Sequence, residues 1–308
     1  MKPISAPPPA PLRISHFYEW QYVGDTLLDS LFGEFADNGG VALTTATVWS
    51  NRILGDPVFA ATLRQKLAAH RLVMQDAHAP WSLPWDLDIL DDARRPHMLA
   101  GHRLCMSMLA DLGVRTYTMH IGAAPNYTNG GVHTDDLRAR SYQALEALLP
   151  TAESLGMLIA VENSFEPSNT PEEVAGCIHR YNSPYIACCL DIGHAHVMDA
   201  DAPRAIGAIS AGIREKAWNS KIILKPYAEA VRLLAPWIVT CHIHDNDATN
   251  DQHLLPGDGN TDWPRTMAEL RQCPRLESIQ NETNACARGT SIVRGCRVLR
   301  ELAAMIHP

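Results

Sequence analysis

The chain has 308 residues, of which 46% are hydrophobic and 19% are charged, and its formal net charge is −8 at pH 7. This length accommodates one large domain or two of average size. No stretch has the density of Lys and Arg with which a protein surface follows nucleic-acid phosphates, so a nucleic-acid partner is not expected. No uninterrupted run approaches about 18 apolar residues, so no membrane-spanning helix is expected.

The N-terminal segment, residues 1–12, is rich in proline and lacks the apolar centre of a signal peptide. We expect an extended, poorly ordered arm there, ahead of a domain over residues 13–308. The eight cysteines form no CxxC pair, and several lie within apolar runs, as Cys188, Cys189 and Cys241 do. This usage is typical of buried free thiols in a reducing compartment, so we expect a cytoplasmic protein.

In chain order, short apolar runs alternate with amphipathic segments. The predicted strands are 13–20, 41–47, 71–77, 116–122, 157–164, 186–194, 238–245 and 276–283. Helical spacing predicts helices over 26–39, 57–70, 97–113, 135–156, a segment after the cap residue Thr170, part of 199–236, 262–274 and 291–306. Pro150 is expected to kink or split the fourth helix. Eight strand–helix pairs with short, buried strands predict an α/β protein built as a single (β/α)8 barrel.

Six of the predicted strands end on residues of types that bind metal ions. These residues are His78, His120, Glu162, Asp191 with His194, His242 and Glu282. Successive units place them 29 to 51 residues apart, and one strand with its return helix and loops needs about 30 or more residues. Because the carboxyl ends of barrel strands meet on one face, we expect these side chains to converge there.

Glu162, Asp191, His242 and Glu282 combine three carboxylates with one imidazole, a set that suits Mn²⁺, Mg²⁺ or Zn²⁺. The alternative is that each is an ordinary polar residue near a strand end. Burying several carboxylates together without a cation is costly, however, and a bound ion removes that cost. The sequence therefore predicts a divalent-metal site at the C-terminal face of the strands.

Further residues near the strand ends leave two interpretations open. Five of them either hold one or two additional ions or bind substrate and solvent: His78, His120, His194, Asp251 and His253. Four more are expected to orient the ligands: His196, His244, Asp245 and Asp247. The Pro-rich loop with Trp81 and Trp85 is expected to form a wall or lid over the site. Substrate specificity is expected to lie in loops 48–57, 81–96 and 122–135, which contain no readable motif.

Several motifs resemble the xylose-isomerase-like barrel superfamily. They are His78-Ala-Pro-Trp, TMHIG, VENS, CLDIGHAH and, most specifically, CHIHDNDATNDQHLLPGDGNTDWP. The resemblance spans roughly residues 12–306. This superfamily contains sugar phosphate isomerases and epimerases as well as abasic-site nucleases of the endonuclease IV type.

The two branches imply different uses of the same residues. The epimerase branch implies one divalent ion held by Glu162, Asp191, His242 and Glu282, with the two glutamates as acid and base and His194 on a substrate oxygen. The nuclease branch implies three zinc ions. Its ligand sets would be His78, His120 and Glu162; Glu162, Asp191, His242 and Glu282; and His194, Asp251 and His253.

Departures from both patterns favour the isomerase branch without naming a substrate. The nuclease branch inserts basic loops into DNA, whereas the segment VWSNRILGD after the second strand has one arginine and the whole chain has five lysines. Ketohexose epimerases place an arginine six residues beyond their metal histidine, and this chain has Ala248 there. This difference argues against that particular epimerase.

We therefore expect a divalent-metal-dependent isomerase or epimerase of a small sugar, sugar phosphate or related polyhydroxy carbonyl compound. A glutamate would transfer the proton through a metal-stabilised enediolate. Three alternatives stay open: a dehydratase of inositol-like sugars, a three-zinc phosphodiesterase that cuts abasic DNA, and a barrel that binds a sugar without turning it over. A homo-oligomer is also compatible with the sequence.

Overall fold

The structure is a computed structural model that describes residues 12–82, 84–122, 134–205, 207–216 and 223–306. Eight parallel strands close into one barrel in sequence order, which confirms the expected (β/α)8 barrel. The strands are β1 (Arg13–His16), β2 (Ala42–Thr45), β3 (Val73–His78), β4 (Thr116–His120), β5 (Leu158–Glu162), β6 (Ile186–Asp191), β7 (Ile238–Ile243) and β8 (Ser278–Asn281). The predicted arm over residues 1–12 lies outside the described part of the chain, except for its last residue, and most of loop 122–135 does too.

The strands end where the sequence changes from apolar to ionisable residues. β6 and β7 are buried along their whole length, as expected for parallel strands covered on both faces. Their register pairs Asp191 with His242, and the register between β5 and β6 pairs Glu162 with Cys189. Because neighbouring parallel strands finish together, these polar side chains meet at one end of the barrel.

Twelve α-helices lie within the described residues. They are α1 (Leu28–Asp37), α2 (Thr47–Gly55), α3 (Pro57–Ala69), α4 (Arg95–Asp111), α5 (Thr134–Leu155), α6 (Pro171–Tyr181), α7 (Ile192–Val197), α8 (Ala211–Lys216), α9 (Tyr227–Leu234), α10 (Trp263–Leu270), α11 (Ala285–Arg288) and α12 (Ile292–Ile306). The longer ones pack against the outside of the barrel and form the main core with it. None of the described helices is both long and apolar enough to cross a membrane.

The expectation that residues 48–57 form a loop is wrong, because most of them lie in α2. Trp49 and Ile53 are one helical turn apart and both are buried. Trp49 stacks on Trp20, with 3.9 Å between ring centroids, and such a pair adds about 0.5–1.5 kcal/mol beyond burial. β1 is shorter than the predicted strand 13–20: it ends at His16, opposite Asn281 at the end of β8, and Trp20 begins a short helical turn.

Pro150 was expected to kink or split the fourth helix, and a split is wrong because α5 runs without a break across Pro150. Proline removes one helical hydrogen bond. Leu145, Leu148 and Ala152 are fully buried on the core side of this helix. Their burial, worth roughly 1.5–3 kcal/mol for each leucine, holds the segments on both sides of the proline against the barrel.

Candidate metal centre

All nine residues named as ligands or candidate ligands lie together at the carboxyl ends of the strands. Above them is a cavity of about 810 Å³, within the range of about 300–1,000 Å³ that is typical of small-molecule sites. Seven of the nine line this cavity, whereas Asp191 and His242 are buried and do not line it. The convergence that the strand spacing predicted is therefore present in the fold.

The central cluster consists of Glu162, Asp191, His242 and Glu282, whose ligand atoms all lie within 4.8 Å of one another. The His242 Nδ1 atom lies 3.2 Å from Glu162 Oε1 and 3.3 Å from Glu282 Oε2. Its distance to Asp191 Oδ2 is 3.6 Å. Burial raises the pKa of Glu162, but the His242 and His120 rings outweigh burial and hold that pKa well below its usual value.

This cluster fits a divalent cation. It offers three carboxylates and one imidazole, a donor set that suits Mn²⁺, Mg²⁺ or Zn²⁺. Glu162 Oε2 is buried and makes no hydrogen bond within the described residues. A cation held by Glu162, Asp191, His242 and Glu282 would balance the charge and give this oxygen a partner.

Cys189 is a member of the cluster that sequence reasoning missed. Its thiol lies within 4.8 Å of ligand atoms of Glu162 and His242. Burial raises the pKa of the Cys189 thiol to about 12, so the thiol is protonated at neutral pH. Strand alternation contained the signal, because Cys189 precedes Asp191 by two positions and faces the same side of β6.

His78 and His120 face Glu162 from β3 and β4. Their Nε2 atoms lie 3.2 Å and 3.3 Å from Glu162 Oε2. His78 Nδ1 donates to the carbonyl oxygen of Ala79 at 2.7 Å, so a neutral His78 ring directs its lone pair at the carboxylate. His120 Nε2 has no hydrogen-bond partner in the described part of the chain. The ligand atoms of His78, His120 and Glu162 lie within 4.8 Å of one another, so the three residues fit a second ion.

The third cluster contains His194, Asp251 and His253, as expected, together with His244. His194 Nε2 and His253 Nε2 lie 3.4 Å and 3.2 Å from Asp251 Oδ2. Burial lowers the pKa of His253, but Asp251 outweighs burial and raises that pKa to about 9. Asp251 Oδ1 and His244 Nδ1 are buried and without hydrogen bonds among the residues that the structure describes.

His244 was expected to orient a ligand, and its Nε2 lies 3.1 Å from Asp191 Oδ2. The ring also stacks on His253, with 3.9 Å between centroids. His244 therefore contacts the central cluster and the third cluster together. The spacing of His242 and His244 indicates this position in the sequence, because residues two apart on a strand face the same side.

The position of Asp191 follows from local structure. Asp191 ends β6 and caps α7, where its Oδ1 accepts a hydrogen bond from the His194 backbone N–H at 2.6 Å. The Asn163 side chain accepts from Asp191 N at 2.8 Å and donates to Asp191 O at 3.0 Å. Between Asp191 and His194 lies Gly193, where an added Cβ would sit 1.9 Å from the His244 ring. The tight turn into α7 therefore needs glycine at this position.

Asp245 holds the loop that follows β7. Its buried carboxylate accepts hydrogen bonds of 2.8 to 3.2 Å from the backbone N–H groups of Gly257, Gly259 and Thr261 and from the indole of Trp263. The Asp245 backbone also pairs with Leu254 in both directions. The loop is thereby folded back over the barrel, which places Asp251 and His253 at the cavity.

His196 and Asp247 support the same loop. His196 Nε2 lies 2.6 Å from Asn260 Oδ1, and Asp247 Oδ1 accepts from the Thr249 backbone N–H at 3.0 Å. Both were expected to orient ligands. Their contacts instead stabilise the loop that contains Asp251, so their effect on this candidate ligand is indirect.

Trp81 and Trp85 lie on the expected loop but have different surroundings. Trp81 is 54% exposed and lines the cavity. The Trp85 ring fills a notch at Gly101, where an added Cβ would lie 2.6 Å from it, and the Trp85 carbonyl oxygen lies 2.9 Å from His102 Nε2. Trp81 is therefore placed to contact a substrate, whereas Trp85 fastens the loop to α4.

Comparison with known proteins places this barrel in a family. Residues 40–301 match the family described as xylose isomerase-like TIM barrel. An uncharacterized protein of Methanocaldococcus jannaschii, MJ1311, is 21% identical over 203 residues, which are 64% of this chain. The chain spans 59% of the length of that relative.

Two solved structures are similar in fold. A D-tagatose 3-epimerase-like protein has a TM-score of 0.72 at 17% identity, with 95% of this chain and 97% of that chain covered. The IOLI protein, solved with a binding zinc atom, has a TM-score of 0.70 at 15% identity, with coverage of 95% and 97%. With the family match across most of its length and a closed eight-stranded barrel, the chain belongs to the xylose isomerase-like TIM barrel family.

Proposed function

We propose that the protein is a divalent-metal-dependent isomerase or epimerase of a small polyhydroxy carbonyl compound. The observation that supports this most strongly is the placement of Glu162 and Glu282 at the cavity floor. They approach His242 Nδ1 from different strands, to 3.2 Å and 3.3 Å. Both carboxylates line the cavity, and such a pair is suited to remove a proton from a bound substrate and to return one.

The chain supplies both the ion ligands and the bases. Glu162, Asp191, His242 and Glu282 would hold a divalent ion, which when bound polarises a carbonyl group and lowers the pKa of the adjacent C–H. Burial raises the pKa of Glu282, but the His242 ring outweighs burial and lowers it, as it does for Glu162. Both carboxylates are therefore ionised at neutral pH, the form in which they accept a proton.

The cavity wall suits a sugar-like ligand. Aromatic side chains line it and can pack on the apolar face of a sugar: Phe17, Trp20, Trp81 and Phe165. The structural neighbour named as D-tagatose 3-epimerase-like supports sugar chemistry, and the neighbour with a zinc atom supports a metal in this fold.

The test measures solvent deuterium entering the carbon next to the carbonyl group, by NMR, with metal-loaded protein and a panel of free ketoses and inososes. We expect incorporation by the wild type and a loss of at least about 100-fold in Glu162→Gln and Glu282→Gln. Glu277→Gln, at an exposed residue paired with Arg13, is the matched control and should keep the wild-type rate. Unchanged exchange in both site variants would refute the assignment of the bases, and loss of water from the substrate would identify a dehydratase.

A three-metal phosphodiesterase is the second candidate, because three ligand clusters are present and two of them share Glu162. The surroundings favour it less. Among the described residues that line the cavity, Lys216 is the one Lys or Arg, and a DNA-binding mouth needs several cations. Three tightly bound ions per chain together with cleavage of an abasic duplex would favour this candidate over the first.

A further inference from the structure

Two buried carboxyl groups on the cavity wall, those of Asp86 and Glu166, belong to none of the three clusters. Asp86 lies between β3 and α4, is 6% exposed and lines the cavity. The Ser82 backbone donates a hydrogen bond to its carboxylate. The Oδ2 atom is buried and makes no hydrogen bond within the part of the chain that the structure describes. A buried carboxylate with an unused oxygen is costly to a folded protein, which points to a ligand for that oxygen.

Charges of both signs lie near Asp86, because the His120 ring lowers its pKa and the Glu166 carboxylate raises it. Burial has the largest effect and raises the pKa of Asp86 to about 6 against the Ser82 backbone N–H and the His120 ring, so the group is still mostly ionised at neutral pH. Glu166 is also 6% exposed and lines the cavity. Its Oε2 atom accepts a hydrogen bond from the Asn169 side chain at 3.2 Å, which carries no charge.

The single lysine of the described wall packs on an aromatic ring. Lys216 Nζ lies over the Phe165 ring, 5.3 Å from its centroid. Ions bound by the three clusters would balance the carboxylates on the floor. Asp86 and Glu166 would still present negative charge to the outer part of a substrate.

We propose that Asp86 accepts a hydrogen bond from a substrate hydroxyl group and makes the site select uncharged polyhydroxy substrates over their phosphate esters. A hydroxyl group supplies the donor that Oδ2 lacks, whereas a phosphate dianion has no proton to donate and would be repelled by the Asp86 and Glu166 carboxylates. This inference rests on the proposed function, and it narrows the substrate class of that site.

The test compares free ketohexoses with ketohexose phosphates in the deuterium-exchange assay. The wild type should prefer the free sugars by at least about 100-fold in kcat/KM. Asp86→Asn should raise KM for the free sugars about 10-fold, as expected for a weakened bond to a charged acceptor, with little change in kcat, and should reduce the preference. Asp92→Asn is the matched control, since Asp92 lies on the same loop, is exposed and pairs with Arg140; it should behave as the wild type.

The melting temperature separates this binding role of Asp86 from a structural role. In the binding role, Asp86→Asn removes a costly buried charge, so we expect the variant without ligand to melt at the same temperature as the wild type or higher. A lower melting temperature combined with an unchanged KM would overturn the inference, and so would equal turnover of free sugars and phosphate esters by the wild type.

The outcomes separate this inference from the proposed function. If the metal-loaded wild type exchanges protons with no sugar or ester, the proposed function fails. In that case, calorimetry can still test the role of Asp86 by measuring the affinity of the wild type and of Asp86→Asn for a free ketohexose and for inorganic phosphate. Weaker ketohexose binding and tighter phosphate binding by Asp86→Asn would support the inference, and unchanged affinities for both would overturn it.

Discussion

Replacing Gly193 by alanine tests how tightly the side chains are packed around His244, which contacts both the central and the third cluster. An added Cβ would lie 1.9 Å from His244 Cε1 and 2.3 Å from His244 Nδ1, and that ring is fully buried. Overpacking of this kind costs about 1–3 kcal/mol, and a displaced His244 would also lose its contact with Asp191 Oδ2, worth about 1.5–3 kcal/mol. Alanine returns about 1 kcal/mol of helix propensity. We expect a net loss of about 1.5–5 kcal/mol in the free energy of unfolding.

The matched control is Gly176→Ala in α6. Gly176 is also helical, but no atom lies within 4 Å of its added Cβ, so alanine should raise the free energy of unfolding by up to about 1 kcal/mol. Urea titrations followed by circular dichroism, with and without chelator, measure both variants. We also expect Gly193→Ala to retain less bound metal. A Gly193→Ala protein as stable and as rich in metal as Gly176→Ala would refute the packing described around His244.

Three further outcomes are expected. Asp245→Asn should lower the free energy of unfolding by about 1.5–3 kcal/mol, because five donors lose a charged acceptor, and limited proteolysis should then cut residues 246–262 faster than in the wild type. Burial lowers the pKa of His16 and of His102 to about 4, so as pH falls from about 6.5 to 4 the unfolded state takes up protons first and up to about 3 kcal/mol of stability is lost for each group. In urea titrations between pH 7 and 4.5, His102→Gln should therefore lose less stability with falling pH than the wild type does. An equal loss in both proteins would contradict the effect of burial. Removing bound metal with a chelator should lower the free energy of unfolding by about 2.7 kcal/mol if the free ion had been at one hundred times its Kd, whereas equal stability with and without chelator would argue against a metal in these clusters.

The barrel and most of its ionisable floor were predictable because both depend on spacing along the chain. Strands that recur every 29 to 51 residues and end on His78, Glu162 or His242 leave few ways to fold other than a barrel with those ends together. The caps followed local rules as well. Thr170 before Pro171 begins α6 as expected, and its hydroxyl group accepts from the Glu173 backbone N–H.

The remaining features depend on contacts between distant segments, which spacing does not show. Residues 48–57 were expected to form a substrate loop, but most of them lie in a helix whose Trp49 stacks on Trp20, almost thirty residues earlier. The functional interest of Asp86 arises from its burial and its unused Oδ2 atom, and no local pattern marks it among the other aspartates of its loop. Trp85 was expected in a wall or lid over the site, whereas its ring packs against Gly101 of α4.

The central claim is that one ion on Glu162, Asp191, His242 and Glu282 supports proton transfer on a sugar-like substrate. The most direct measurement is the deuterium-exchange rate of chelator-treated protein as Mn²⁺ or Zn²⁺ is returned in fractions of an equivalent, with bound metal counted in the same samples. We expect no exchange without metal and a rate that rises in proportion to the first equivalent and then levels. Exchange that is unaffected by chelation, or that is absent with every ketose and inosose even when all the sites are filled, would contradict the claim.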